Sequence, residues 1–95
     1  MKKFEIKYPS WYDELAEFEH EEKGFLQDVL ITSEGAGDVQ LNFYDMTRFA
    51  QDAADSVRTN GFFYMTGVVI VESVSRTHIE AAAQRIVEDG LAPRV

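Results

Sequence analysis

Glu17 and His20 stand three residues apart. On a helix that spacing puts a carboxylate and an imidazole on one face, the arrangement by which di-iron carboxylate bundles hold metal. His20 with Glu21, or Glu17 with Glu21, could also share a divalent cation. Such centres need two copies of the motif and two further glutamates, so this chain would complete one only as a symmetric dimer. The simpler reading is an acidic helix face turned to water. No metal and no other cofactor is therefore expected, with Glu17 and His20 as the weak candidates.

His78 is the other histidine. A catalytic histidine needs a nucleophile or an orienting carboxylate beside it, and Ser75, Thr77 and Glu80 are the local ones. An ordinary surface position near a helix cap competes with that role. Tyr44 precedes a strand-to-helix junction at Asp45, and Tyr64 closes the cluster Phe62-Phe63-Tyr64. With His78 they would line a pocket between sheet and helices if the chain were an enzyme or a ligand-binding domain. Aromatic clusters of this kind also serve as core or as a subunit interface. Phosphate loops, G-x-S-x-G elbows, H-E-x-x-H and dinucleotide fingerprints are absent. The balance leans away from catalysis.

The chemistry that stands out is charge. The 95 residues carry 17 acids against 9 bases, a formal charge of −8 and a pI near 4.6. Asp13, Glu14, Glu17, Glu19, Glu21 and Glu22 crowd into ten residues without a base. A chain this acidic, with no basic patch, repels phosphate backbones, so no nucleic-acid partner is expected. The 45% apolar and 27% charged residues are those of a folded domain. The absence of cysteine excludes disulfides and thiolate chemistry. The two lysines at the start are not followed by an apolar h-region, and the longest uncharged run, residues 59–71, is far below the roughly 20 needed to span a bilayer. A cytoplasmic chain without a membrane partner is expected.

These residues need elements to hold them. Residues 4–8 alternate apolar and charged, a short half-buried strand stopped by Pro9. Ser10 would cap a helix whose apolar face is Trp11, Tyr12, Leu15 and Phe18, ended at Lys23-Gly24. Residues 17–20 could instead extend back from the next strand. Residues 25–33 and 39–44 alternate around Glu34-Gly35-Ala36-Gly37 and form a β-hairpin. Asp45 caps a helix with Met46, Phe49, Ala50, Ala53 and Val57 in one stripe, closed by Asn60-Gly61. Asp45–Arg48 and Asp55–Arg58 would pair on its outer side. Residues 61–74 read as one long buried strand in which Gly67 is a bulge or a corner. Ser75 or Thr77 starts a last helix, the latter with Glu80 as a capping box. Ile79, Ala82, Ala83, Ile86 and Val87 form its apolar face, Gly90 closes it, and residues 91–95 form a loose tail.

The pattern is that of a single α+β domain over residues 1–95: a ferredoxin-like β-α-β-β-α-β unit with an added C-terminal helix, a mostly antiparallel sheet and helices on one face. Such a sheet leaves its other face open. With residues 61–74 apolar on both sides, a second subunit or the last helix must cover it, so a homodimer is expected. The function that follows is a non-enzymatic protein-binding module, inhibitor- or immunity-like, meeting a basic protein partner through Asp13, Glu14, Glu17, Glu21 and Glu22. The alternatives are the pocket of Tyr44, Tyr64 and His78, and a metal-binding oligomer on Glu17 and His20.

Overall fold

The computed structural model describes residues 3–33 and 37–90. In chain order the elements are β1 (Phe4–Lys7), α1 (Glu14–Lys23), β2 (Phe25–Ser33), β3 (Gly37–Asp45), α2 (Met46–Asn60), β4 (Val68–Val71) and α3 (Arg76–Glu88). This is an α+β fold with one four-stranded sheet and three helices. The strands lie in the order β1-β2-β3-β4. β1–β2 and β2–β3 pair antiparallel, and β3–β4 pair parallel.

The sheet is therefore mixed, and its order is not the ferredoxin-like one. α1 joins two strands that pair directly and antiparallel, so β1-α1-β2 is not a parallel crossover. Among the described residues only β3-α2-β4 is a βαβ unit. The order of elements along the chain matches the expectation; strand adjacency does not follow from that order.

Helices lie on both faces of the sheet. Phe43 and Tyr44 are neighbours on β3, so they point to opposite faces. Phe43 belongs to the core with Leu26, Val29, Ile31, Leu41, Val71, Val74 and, from α3, Ile79, Ala83 and Val87. Tyr12 and Ala16 close the same core from the α1 side. Tyr44 meets Phe49 of α2 at 6.0 Å between ring centroids, and Phe49 meets Phe63 at 5.5 Å. The last helix covers the main core face, while α2 takes the other.

A bulge makes this core possible. Leu26 pairs with Phe43 and Val29 with Leu41, so β2 has one extra residue between them. Without it Leu26 and Val29, three apart, would face opposite ways; both are fully buried. Asp28 absorbs the extra residue at φ 64°, the left-handed region aspartate tolerates. Its N–H donates to Asn42 Oδ1 at 3.0 Å, and Asn42 Nδ2 donates to the Thr66 carbonyl at 3.0 Å.

The long strand expected over residues 61–74 shrinks to Val68–Val71. Thr66-Gly67 is a turn, with Gly67 at φ 68° and its carbonyl accepting from the Asn42 N–H at 2.7 Å. A Cβ at Gly67 would fall 2.6 Å from the Gln40 carbonyl, so glycine is required there. Phe62, Phe63, Tyr64 and Met65 therefore belong to a connecting segment and have no strand faces.

The N-cap differs from expectation at one helix, and at another the structure picks one of the two caps expected. Asp13, not Ser10, caps α1 by accepting from the Ala16 N–H at 2.9 Å, because Pro9 and Tyr12 close a turn first. Ser75 caps α3, its side chain accepting from the His78 N–H. A start at Arg76 leaves no place for the Thr77–Glu80 box. Asp45 caps α2 as expected, accepting from the Arg48 N–H at 2.7 Å. The Arg48 side chain turns instead to Asp52 at 2.9 Å, while Arg58 does pair with Asp55. The turn residues 34–36 and the tail 91–95 lie outside the described residues.

Candidate functional site

The helix that carries the acids does not pack as its apolar pattern suggests. α1 buries Ala16, with Glu17 and His20 partly covered on the same side. Leu15 and Phe18 point away from the body and are 66% and 62% exposed. This corrects the expectation that Trp11, Leu15 and Phe18 form the packed face. The side of α1 turned to the sheet carries Ala16 and the ring of His20, which meets Phe25 edge-on at 5.2 Å between centroids.

Residues three and four apart are neighbours on a helix surface. Phe18 thus has Glu14, Glu21 and Glu22 around it, and Leu15 has Glu19, all four acids being exposed. The result is an apolar pair ringed by carboxylates. The other acids of the segment have structural duties: Asp13 caps α1, and Glu17 turns inward to Arg76 of α3.

That inward turn separates Glu17 from His20. Glu17 Oε1 accepts from Arg76 Nε at 3.2 Å, and its other oxygen faces the Arg76 N–H. His20 Nδ1 sits 2.9 Å from the Phe25 carbonyl, and its ring lies between Trp11 at 5.1 Å and Phe25 at 5.2 Å. The two weak metal candidates are divided between two different contacts. Among the described residues no three histidine or acidic side chains form a metal-holding group.

Tyr44, Tyr64 and His78 do not meet. Tyr44 is sealed at 2% exposure, its hydroxyl accepting from Gln27 Nε2 at 3.2 Å and facing Met65 Sδ at 3.7 Å. Tyr64 stands in solvent at 76% exposure. His78 Nδ1 lies 3.1 Å from Ser73 Oγ and 2.9 Å from Ser75 Oγ, with Nε2 3.8 Å from Glu72. These are contacts of the α3 cap.

A cavity of about 580 Å³ lies elsewhere, between β1 and α3. Phe4, Ile6 and Tyr8 line one wall, and Arg76, Glu80 and Ala81 the other. Arg76 sits over the Tyr8 ring at 4.6 Å and over the Tyr12 ring at 5.0 Å, and the two tyrosines stack at 4.9 Å. Burial, with the Glu80 charge adding to it, pushes the Tyr8 phenol up to about 12, and burial raises Tyr12 in the same direction. The alternation Phe4-Ile6-Tyr8 marked one wall in the sequence. Nothing local tied it to Arg76.

A second apolar surface lies on α2. Phe49 packs on Tyr44, yet Met46 and Val57 of the same stripe are exposed, as are Phe62 and Tyr64 after the helix. The stripe is wider than the surface it rests on. No helix among the described residues is long and apolar enough to cross a membrane. Comparison with protein-family models, with curated proteins and with solved structures gave no match.

Proposed function

We propose that the chain is a non-enzymatic protein-binding domain whose recognition surface is the outer side of α1, and that its partner presents basic and apolar side chains together. The observation that carries this reading is Leu15 and Phe18 turned outward among Glu14, Glu19, Glu21 and Glu22. An apolar pair gives a docking partner surface to bury, and the carboxylates speed its approach and select its charge. An inhibitor- or immunity-like role fits this surface, since a ring of acids masks a basic partner. The scattering of Tyr44, Tyr64 and His78 speaks against the enzymatic alternative, and the inward turn of Glu17 against the metal-binding one.

The test is a comparison of wild type with Leu15→Ser/Phe18→Ser and with Glu14→Lys/Glu21→Lys/Glu22→Lys. Both variants keep their fold and lose a basic partner captured from native lysate at low salt. Retention of that partner by both variants contradicts the proposal.

Self-association is a second property, favoured by the exposed Met46, Val57, Phe62 and Tyr64 around α2. Large apolar side chains left exposed in this number are the material of which interfaces are made. Light scattering at high protein concentration is expected to give twice the 10.8 kDa chain mass, reduced to the monomer by Val57→Glu. A monomer mass for the wild type rejects it.

A further inference from the structure

β1 is the edge of the sheet. It pairs with β2 on one side, and no described strand pairs with the other. An edge strand presents a row of backbone donors and acceptors, a template for one more strand. β1 is not a bare edge, however. α3 runs beside it, and the cavity between them is an open groove of about 580 Å³ floored by Phe4, Ile6 and Ala81. A groove between an edge strand and a helix is the geometry in which an extended peptide adds to a sheet, its backbone completing the ladder and its alternate side chains entering the groove. The four residues of β1 offer roughly 13 Å of ladder, enough for four peptide residues.

The chemistry of the rim selects among peptides. Glu5 and Glu80 both line the groove. The cation present, Arg76, is already paired with Glu17 at 3.2 Å and stacked over two rings, so the rim is negative in balance. At one end the Tyr8 hydroxyl is shielded from water and has no hydrogen-bond partner.

We propose that the β1–α3 groove is a second binding site, one that takes an extended peptide segment as a fifth strand on β1, with aliphatic side chains over Phe4, Ile6 and Ala81 and a lysine or arginine at Glu80. The site is separate from the outer side of α1, and neither depends on the other.

The probe is a blocked heptapeptide of alternating valine and lysine, titrated into the full chain and followed by amide NMR. Saturable shifts are expected at Phe4, Glu5, Ile6 and Lys7, with slowed amide exchange along β1, and at Ala81 on α3. Ala81→Trp fills the groove from an exposed helix position and should abolish these shifts while the far-UV spectrum stays unchanged. Glu80→Lys should weaken binding by about tenfold. N-methylation of alternate peptide bonds removes the ladder donors and should abolish binding with the side chains intact. Three results would overturn the proposal. One is shifts confined to α1. Another is β1 shifts that survive both Ala81→Trp and N-methylation. The third is concentration-dependent β1 shifts without peptide, which would assign the edge to a second copy of the chain.

Discussion

Glu17 and Arg76, 59 residues apart in the chain, meet at 3.2 Å and join the first turn of α1 to the first turn of α3. The contact decides what both residues do. It removes Glu17 from the exposed acids, separates it from His20, and holds the guanidinium over Tyr8 and Tyr12.

Arg76→Met is therefore expected to cost about 1–2 kcal/mol, the sum of a half-exposed ion pair and two cation–ring contacts. Arg58→Met, which breaks the far more exposed pair with Asp55, should lie within about 0.5 kcal/mol of wild type. Urea unfolding of the two variants measures both. Equal effects would mean that Arg76 contributes no more than a surface charge.

The phenols give a pH dependence of known sign. The folded chain holds the Tyr8 proton up to about 12, whereas a free phenol releases it near 10. The unfolded chain thus loses the proton first. The associated stability is complete below pH 10 and falls as pH rises toward 12, and the raised Tyr12 adds to the fall. Tyr8→Phe should flatten this decline. At neutral pH it should leave stability within about 0.5 kcal/mol or raise it, because the hydroxyl it removes has no partner. A phenolate absorbance titration and melts across this range check both parts, and a wild-type curve flat to pH 12 contradicts them.

Gly24, like Gly67, sits where glycine is required. It ends α1 at φ 82°, its carbonyl accepts from the Asp45 N–H at 2.9 Å, and a Cβ would lie 2.6 Å from Asp45 Oδ2. Gly24→Ala strains α1 and pushes aside the carboxylate that caps α2. A loss of about 2–3 kcal/mol is expected, the sum of a left-handed alanine and a damaged N-cap. A loss below about 0.5 kcal/mol in thermal or denaturant melts would show the cap to be adaptable.

What the sequence makes legible is local. The hairpin, the Asp45 cap and the stripe of Ile79, Ala83 and Val87 are all written in neighbouring residues, and all are present. Three features depend on contacts far apart in the chain. The adjacency of β1 to β2 requires a long-range choice that element order leaves open. The bulge at Asp28 is invisible until Leu26 and Val29 are both seen to be buried. The outward turn of Leu15 and Phe18 depends on what α1 packs against, and an apolar spacing of three reads the same whether it meets a core or a partner. Of the candidate site, the acidic segment was legible as a charge pattern, while the groove beside β1 was not, because its second wall is α3.

The outer side of α1 is the central claim, and association kinetics test it most directly. The measurement is the association rate of the salt-released partner with immobilised wild type, Leu15→Ser/Phe18→Ser and Glu14→Lys/Glu21→Lys/Glu22→Lys, from about 0.1 M to about 1 M salt, over which the screening length falls from about 10 Å to about 3 Å. Both variants should melt within about 0.5 kcal/mol of wild type, because the altered side chains are exposed. The wild-type rate should fall steeply with salt. Charge reversal should remove that dependence and slow association, whereas the serine variant should keep the salt dependence and dissociate faster. Unchanged, salt-insensitive kinetics in both variants would contradict the account, as would a serine variant destabilised by several kcal/mol, which would place Leu15 and Phe18 in the core.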